Sequence, residues 1–535
     1  MQNFRHIVYI VSRFRRVSYA GVCRIFATYF KIQISYTNLH KSHVNHTGIR
    51  FLTAAFVLMT AVAIFVSSCF EESFETEFTV DLRTSVDTLR FDTVFTSIGS
   101  ITRSIKVFNP SDQNIMISSI AIDAGDQSMF RLNVDGIPGN SAEDVPVLAG
   151  DSVYVFVEVT VDPDQPLSVS PFIIEESLVI RTGEFQKRVV LEAWGQNANY
   201  FPSRDAQGQL IGLTCANSEL IWDDPKPYVI YGLLFIDSCT LVIPAGAQIY
   251  VHGGLARVEE TIFADGGLVF LPDGRIRTEG TTDQPVVIQG DRLEEGFDEV
   301  PGQWSGIRFL ATSRDNQMNH TVIKNSIVGI RADSAASAEL NAVTISNTTN
   351  IGLIGIHADI RADNCLIHSN GPQSVALVYG GNYNFRYCTI ANYENQSPAV
   401  FMDNFNCLNP ECSLVAANPI NAAFQNSIIM GSNDEEVDIS DVTGGDDPAF
   451  FQVVFDHTLV RSDEVLASLP ETACLNCIIP DGEPVFIDEF DDIYLLDTMS
   501  VARDQGIPLF DLPLDLLGNQ RDVMTPDLGC FEFVE

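Results

Sequence analysis

A seven-residue block returns at a nearly constant interval, and this constrains the chain more than any other feature. Asn319-His-Thr-Val-Ile323-Lys-Asn325 is followed by Asn341-Ala-Val-Thr-Ile345-Ser-Asn347, Asp363-Asn-Cys-Leu-Ile367-His-Ser369 and Arg386-Tyr-Cys-Thr-Ile390-Ala-Asn392. The reference isoleucine recurs at steps of 22, 22 and 23 residues. A unit this short cannot bury its apolar side alone; stacked units share one continuous core. The blocks hold a strand-like run and no helical periodicity, so the stack is built from strands. Leucine-rich repeats share the period, but their Leu-x-x-Leu-x-Leu signature is missing. Ile323, Ile345, Ile367 and Ile390 are therefore expected in one buried column. Asn325, Asn347 and Asn392, with Ser369 between, are expected as an interior amide ladder. Cys365 and Cys388 are expected to stack in adjacent coils. Two echoes, Asn426-Ser-Ile-Ile429 and His457-Thr-Leu-Val460, follow longer steps and imply inserted loops.

Further segments extend the pattern in both directions. Cys239-Thr-Leu-Val-Ile-Pro-Ala-Gly-Ala-Gln-Ile-Tyr250 reads as a first coil, with Pro285-Val-Val-Ile-Gln-Gly-Asp291 and Gly302-Gln-Trp-Ser-Gly-Ile307 as the next. Pro484-Val-Phe-Ile487, Tyr494-Leu-Leu496, Asp515-Leu-Leu-Gly518, Arg521 and Pro526-Asp-Leu-Gly529 mark the C-terminal part. Over roughly 235–535 the chain resembles right-handed parallel β-helix proteins of the pectate-lyase-like class. The resemblance implies a fold rather than an activity, because this fold hosts lyases, hydrolases, adhesins and passive spacers. The β-helix is placed at 197–480 with inserted loops, and its end or cap at 481–535.

Before it, residues 78–196 show short alternating strands. Val153, Val155, Val157, Val159 and Val161 fall on one face, with Tyr154, Phe156, Glu158 and Thr160 on the other. Period two with one apolar face is a half-buried antiparallel strand. Similar runs at 101–108, 113–122, 176–181 and 186–194 predict a β-sandwich. Ile101-Thr-Arg-Ser-Ile-Lys-Val-Phe-Asn-Pro110 resembles an immunoglobulin-like module, without its disulfide. The expected fold class is thus all-β: an N-terminal β-sandwich followed by a right-handed parallel β-helix.

The N-terminus carries an address. Phe51–Ser68 is uncharged and apolar, preceded by Arg50 and Lys41 and followed at once by Cys69. A basic region, an apolar run and small residues before a cleavage point describe a secretory signal. Val66-Ser67-Ser68-Cys69 resembles the bacterial lipobox, which implies lipidation of Cys69, outer-membrane anchoring and membrane partnership through the acyl chains. An uncleaved span is the alternative, although 18 residues is borderline for crossing a bilayer. Glu71-Glu72 behind the cysteine resembles a surface-export signal, so residues 69–77 are read as a tether. Residues 1–48 are set aside, with the start expected downstream near Val44.

Charge narrows the partners. Residues 1–68 hold eight Lys or Arg and no acid, leaving 23 basic against 70 acidic residues and a balance of −47. Such a body repels nucleic acid and anionic lipid. It opposes anionic polysaccharide too, unless a local basic patch or bound cations reverse the field.

The chemistry is less legible. In Ile356-His357-Ala-Asp359-Ile-Arg361-Ala-Asp363, alternation puts His357, Asp359, Arg361 and Asp363 outward together. Arg331 and Asp333 of the previous coil are expected beside them. Carboxylates near an arginine suit a Ca²⁺-assisted lyase acting on uronates, or a two-carboxylate glycoside hydrolase; a salt-bridged structural face is the alternative and the expectation. No other cofactor is implied. Trp304, Tyr379, Tyr383, Phe385 and Tyr387 fall near coil turns, where exposed rings stack on sugars; core filling is the competing role. Cys215–Cys239, Cys407–Cys412 and Cys474–Cys477 are candidate disulfides, the last four cysteines alternatively a Cys₄ zinc site. The preferred function is a non-catalytic, surface-exposed lipoprotein whose β-helix binds glycans or other surface partners, with a polysaccharide lyase or hydrolase as the alternative.

Overall fold

The computed structural model describes residue 74 and residues 82–95, 102–160 and 172–534, apart from 184, 204–209, 216, 259–260, 294–295, 394, 445–446 and 448. The signal segment, Cys69 and all of the tether but Phe74 lie outside the described residues, as does Val161. No helix among the described residues is long and apolar enough to cross a membrane.

Two five-stranded sheets form the N-terminal sandwich. In the first, Ser152–Val159 pairs with Arg103–Phe108 and Phe130–Val134; in the second, Phe172–Thr182 pairs with Ile115–Ile122 and Phe185–Gln196. Thr88–Phe95 joins the second sheet parallel to Phe185–Gln196, and the other pairings are antiparallel. Alternation works as expected: Val153, Val155, Val157 and Val159 are buried while Tyr154 and Phe156 are exposed. Their valines meet Ile117, Ile120, Leu178 and Leu191 of the other sheet in one core.

From Asn199 onward the chain winds as a parallel β-helix with three sides, its strands forming a single 25-stranded sheet. One coil illustrates it: 353–356 lies on the first side, 358–363 on the second and Leu366–His368 on the third. Parallel coils lie about 4.8 Å apart, so identical register positions touch directly. The isoleucine column exists. Ile323 pairs with Ile345, Ile345 with Ile367 and Ile367 with Ile390, and the echoes Ile429 and Val460 continue it. All are fully buried.

The expected ladder positions bond to other groups rather than to one another. Asn325, Asn347 and Ser369 have φ of 65°, 54° and 50° and turn the corner after the third side. Asn325 donates to the Asp298 carbonyl, Asn347 to Glu299, Asn392 to the Gly371 and Pro372 carbonyls, and Ser369 to Asp492. The direct amide pair lies on the second side, where Asn341 Nδ2 donates to Asn319 Oδ1 at 3.2 Å. Cys365 and Cys388 are free and buried, donating to the carbonyls of Leu340 and Ala362 respectively.

Residues 481–535, expected at the end of the stack, run back along its third side as a strap. Phe486, Tyr494, Leu496, Leu528, Cys530 and Phe531 cover the outward Leu366, Ala391, Ile428 and Leu459. The strap is tied by polar contacts: Gly529 N to Asn426 O at 2.8 Å, Cys530 N to Thr389 Oγ1 at 3.1 Å and Arg521 Nη2 to Asn364 Oδ1 at 2.9 Å. The third-side strands under the strap, such as Leu366–His368 and Ile428–Gly431, are consequently buried on both faces, which is why Ile428-Ile429-Met430 reads as a continuous apolar run rather than an alternating one. The last coils lead into the short helix Asp463–Ser468, whose Leu466 packs on the main core.

Candidate functional site

The strand picked out by its charges keeps Asp359, Arg361 and Asp363 on one face but not His357. At His357 the backbone takes φ 50° and the pairing register slips between Ile356 and Ala358. The chain turns there from the first side to the second, so His357 is a corner residue. Its ring packs 5.9 Å from that of Tyr379, which occupies the corner of the next coil with φ 62°. Asp359 and Arg361 do point outward, but Asp363 is 7% exposed.

Asp333 does not join them. Ser337 is the register partner of Asp359, and a turn separates it from Asp333. Asp333 lies instead between two stacked guanidiniums, 2.6 Å from Arg308 Nη2 and 2.7 Å from Arg331 Nε. Asp363 is held likewise. Arg386 meets it with two nitrogens at 2.7 and 2.8 Å, Arg361 Nε lies at 2.9 Å, and Asp511 of the strap binds Arg386 at 2.8 Å. Burial pushes the Asp363 carboxyl up to about 6 against the pull of Arg361. These groups satisfy one another along a vertical column of register partners, Asn341, Asp363, Arg386, Gln425 and Asp456. Gln425 donates to Asp456 at 2.8 Å. The column is a polar seam that positions coils.

Of the aromatic candidates, Trp304, Tyr383 and Phe385 belong to the interior, each at most 3% exposed, while Tyr387 is buried at a corner under the strap, where its Oη donates to Ile507 O at 2.9 Å and Arg521 lies over its ring. The wide cross-section of the helix needs large side chains, and the polar ends are satisfied inside: Trp304 Nε1 donates to Lys324 O and Tyr383 Oη to Gly380 O, both at 2.9 Å. Tyr379 alone of the named ligand-binding aromatics is half-exposed, its backbone N–H bound to Asp403. The structure pairs Cys215 with Cys239, Cys407 with Cys412 and Cys474 with Cys477. Among the described residues no cluster of three His, Cys, Asp or Glu side chains is arranged to hold a metal ion.

A site that no sequence motif marked lies where the strap first meets the coils. Tyr393, Met430 and Arg461 stand at the ends of three successive third-side strands, and residues 479–489 rise opposite them. Between them is a cleft of about 1070 Å³, whose lining includes Asp434, Asp463, Glu489 and Phe486. Arg461 is oriented by the Gly431 carbonyl at 3.1 Å and lies 3.7 Å from Asp434. The Tyr393 ring has Phe486 at 6.5 Å and Phe490 at 6.3 Å, both steeply inclined to it. Burial pushes the Tyr393 phenol above its usual range, and the nearby Glu489 charge adds to this. The cleft thus offers the exposed part of the Tyr393 ring, backed by the buried Phe486, for an apolar sugar face, and carboxylates to accept hydroxyl protons. Its residues are scattered from 393 to 497, and the one sequence signal was the breakdown of the repeat period after Asn392.

No protein-family model matches the chain, and no curated protein does. Among solved structures it is similar to a family 123 glycoside hydrolase from Clostridium perfringens, described in terms of glycolipid glycan hydrolysis, at 7% identity and a TM-score of 0.15. That match covers 22% of this chain and 26% of the other, so the chain spans about a quarter of that protein. It is also similar to the catalytic unit of a thermostable GH87 α-1,3-glucanase from Streptomyces thermodiastaticus, at 9% identity and a TM-score of 0.24, covering 71% of this chain and 86% of that one.

Proposed function

We propose that the chain is a lipid-anchored, outward-facing outer-membrane protein that binds glycans in the cleft between the strap and the last coils. The observation that carries this reading is the lining itself: the partly exposed Tyr393 ring beside Asp434, Asp463, Glu489 and Arg461. The ring supplies stacking surface and the carboxylates supply directional hydrogen bonds, the pairing a polyhydroxylated ligand requires. The acid excess favours neutral or amino sugars here over uronates. The column at Asp363, by contrast, spends its charges on itself.

A second reading is glycoside hydrolysis in the same cleft. It is favoured by the presence of several carboxylates on one lining, since such enzymes use an acid and a base or nucleophile. One experiment separates the two. The exported chain is screened on a glycan array, and each bound glycan is incubated for release of reducing ends. Binding lost in Tyr393→Ala, without reducing-end release, supports the binder. Release that disappears in Asp463→Asn or Glu489→Gln supports the enzyme. Binding unaffected by Tyr393→Ala would remove the cleft from both readings.

A further inference from the structure

The sandwich presents a surface that its core does not use. Ser152–Val159 buries its valines and turns Tyr154 and Phe156 outward, 41% and 39% exposed. Residues two apart on a strand share a face, and these rings lie nearly parallel, with centroids 5.9 Å apart and planes inclined by 12°. Across the ladder Lys106 pairs with Tyr154, its Nζ 4.8 Å from the ring centroid. On the other flank Asn133 pairs with Phe156 and Arg131 with Glu158. A concavity of about 280 Å³ opens beside Phe156, lined by Arg131, Asn133, Pro138 and Glu158 among others.

Folding alone leaves two features here without a use. Asn133 Oδ1 is buried and has no hydrogen-bond partner among the described residues, although buried polar atoms are normally paired. Neither Lys106 nor Arg131 has a carboxylate within ion-pairing distance among the described residues; Arg131 Nη1 binds only the carbonyls of Ser128 and Phe130. In a chain with 70 acidic and 31 basic residues, Lys106 and Arg131 against Glu158 leave a local excess of positive charge beside an exposed aromatic pair.

We propose that this face binds an acidic polysaccharide. Tyr154 and Phe156 stack on the sugar rings, and Lys106 and Arg131 meet the carboxylate or sulfate groups. Glu158 offsets part of the Arg131 charge, so the stacked rings and Lys106 carry most of the affinity. The surface is distinct from the strap cleft, and the proposal does not rest on that site.

The test is affinity electrophoresis of the full exported chain through gels containing polygalacturonate, dextran sulfate or neutral dextran. Retardation is expected in one acidic gel or both, which tells uronate from sulfate, and not in dextran. Tyr154→Ala and Phe156→Ala should each weaken it roughly tenfold. Lys106→Ala should weaken it and flatten its salt dependence. Because all three side chains are at the surface, unchanged circular dichroism checks that the fold survives. Tyr393→Ala should leave retardation unchanged, which keeps this face separable from the cleft. No retardation in either acidic gel, equal retardation in dextran, or full retardation of Phe156→Ala would overturn the proposal. Capture only by vesicles containing phosphatidylglycerol would reassign the face to membrane contact and equally overturn it.

Discussion

Arg386 and Asp363 are register partners in adjacent coils and meet end to end, Nε to Oδ1 at 2.7 Å and Nη2 to Oδ2 at 2.8 Å. Both side chains are nearly buried, at 12% and 10% exposure. Removing one member of a buried pair and leaving the other charge uncompensated costs about 3–5 kcal/mol; Arg361 still meets Asp363 at 2.9 Å, so losing Arg386 should cost part of that. Arg386→Met is therefore expected to lower the unfolding midpoint clearly, and Arg386→Lys to recover only part because it cannot bridge both oxygens. Asp359→Asn, on an exposed side chain of the same strand, should change stability by less than about 0.5 kcal/mol. Denaturant titration of the three variants checks this; equal midpoints for Arg386→Met and the parent would deny the seam its structural role.

Ile345 sits between Ile323 and Ile367 in the third-side column. Ile345→Val deletes one methylene and should cost about 0.5–1.5 kcal/mol. Ile345→Asp buries a charge with no partner and should cost several kcal/mol. Denaturation followed by far-ultraviolet circular dichroism would show both, and a tolerated aspartate would mean that the column is not packed in solution.

Asp492 ties the strap to the third side. Its carboxylate accepts from Ser369 and Tyr494 and lies 3.4 Å from His368 Nδ1. Burial raises its pKa, but the hydrogen bonds from His368 and Ser369 outweigh this and hold it below the ordinary value of 3.8. A carboxyl depressed on folding contributes stability that is present above its unfolded pKa and lost as pH falls through the folded one. The strap should therefore loosen below about pH 4, a window that Asp492→Asn should remove. Hydrogen exchange of residues 486–496 between pH 2.5 and 5 measures it, with a correction for intrinsic exchange. Identical pH profiles in parent and variant would exclude this latch.

Lipid anchoring is tested at Cys69. Acyl chains supply most of the membrane affinity of such a protein, so Cys69→Ala should yield an unprocessed precursor or a form shed from membranes. Mass spectrometry and membrane fractionation report both. An unchanged mass with unchanged fractionation would contradict the lipobox reading.

The sequence alone determined the elements whose signal is local. The 22–23-residue period placed the isoleucines in one column, because parallel coils bring equal register positions into contact. The alternating valines of Ser152–Val159 announced a sandwich strand, because period two sorts side chains between core and solvent. What only the tertiary structure decided depends on turns and on long-range contact. A single left-handed residue, His357, moved the chain to a new side and took its own ring off the face that Asp359, Arg361 and Asp363 still share. The corner between Asp333 and Ser337 likewise kept Asp333 from Asp359 and gave it to Arg308 and Arg331. The strap was beyond sequence reading for the same physical reason. Its contacts, such as Arg521 with Asn364 and Gly529 with Asn426, join residues far apart in the chain, and no local periodicity encodes where a returning segment will lie. The cleft exists because that segment stands off from the ends of the third-side strands, so its lining is a product of the fold and of no motif.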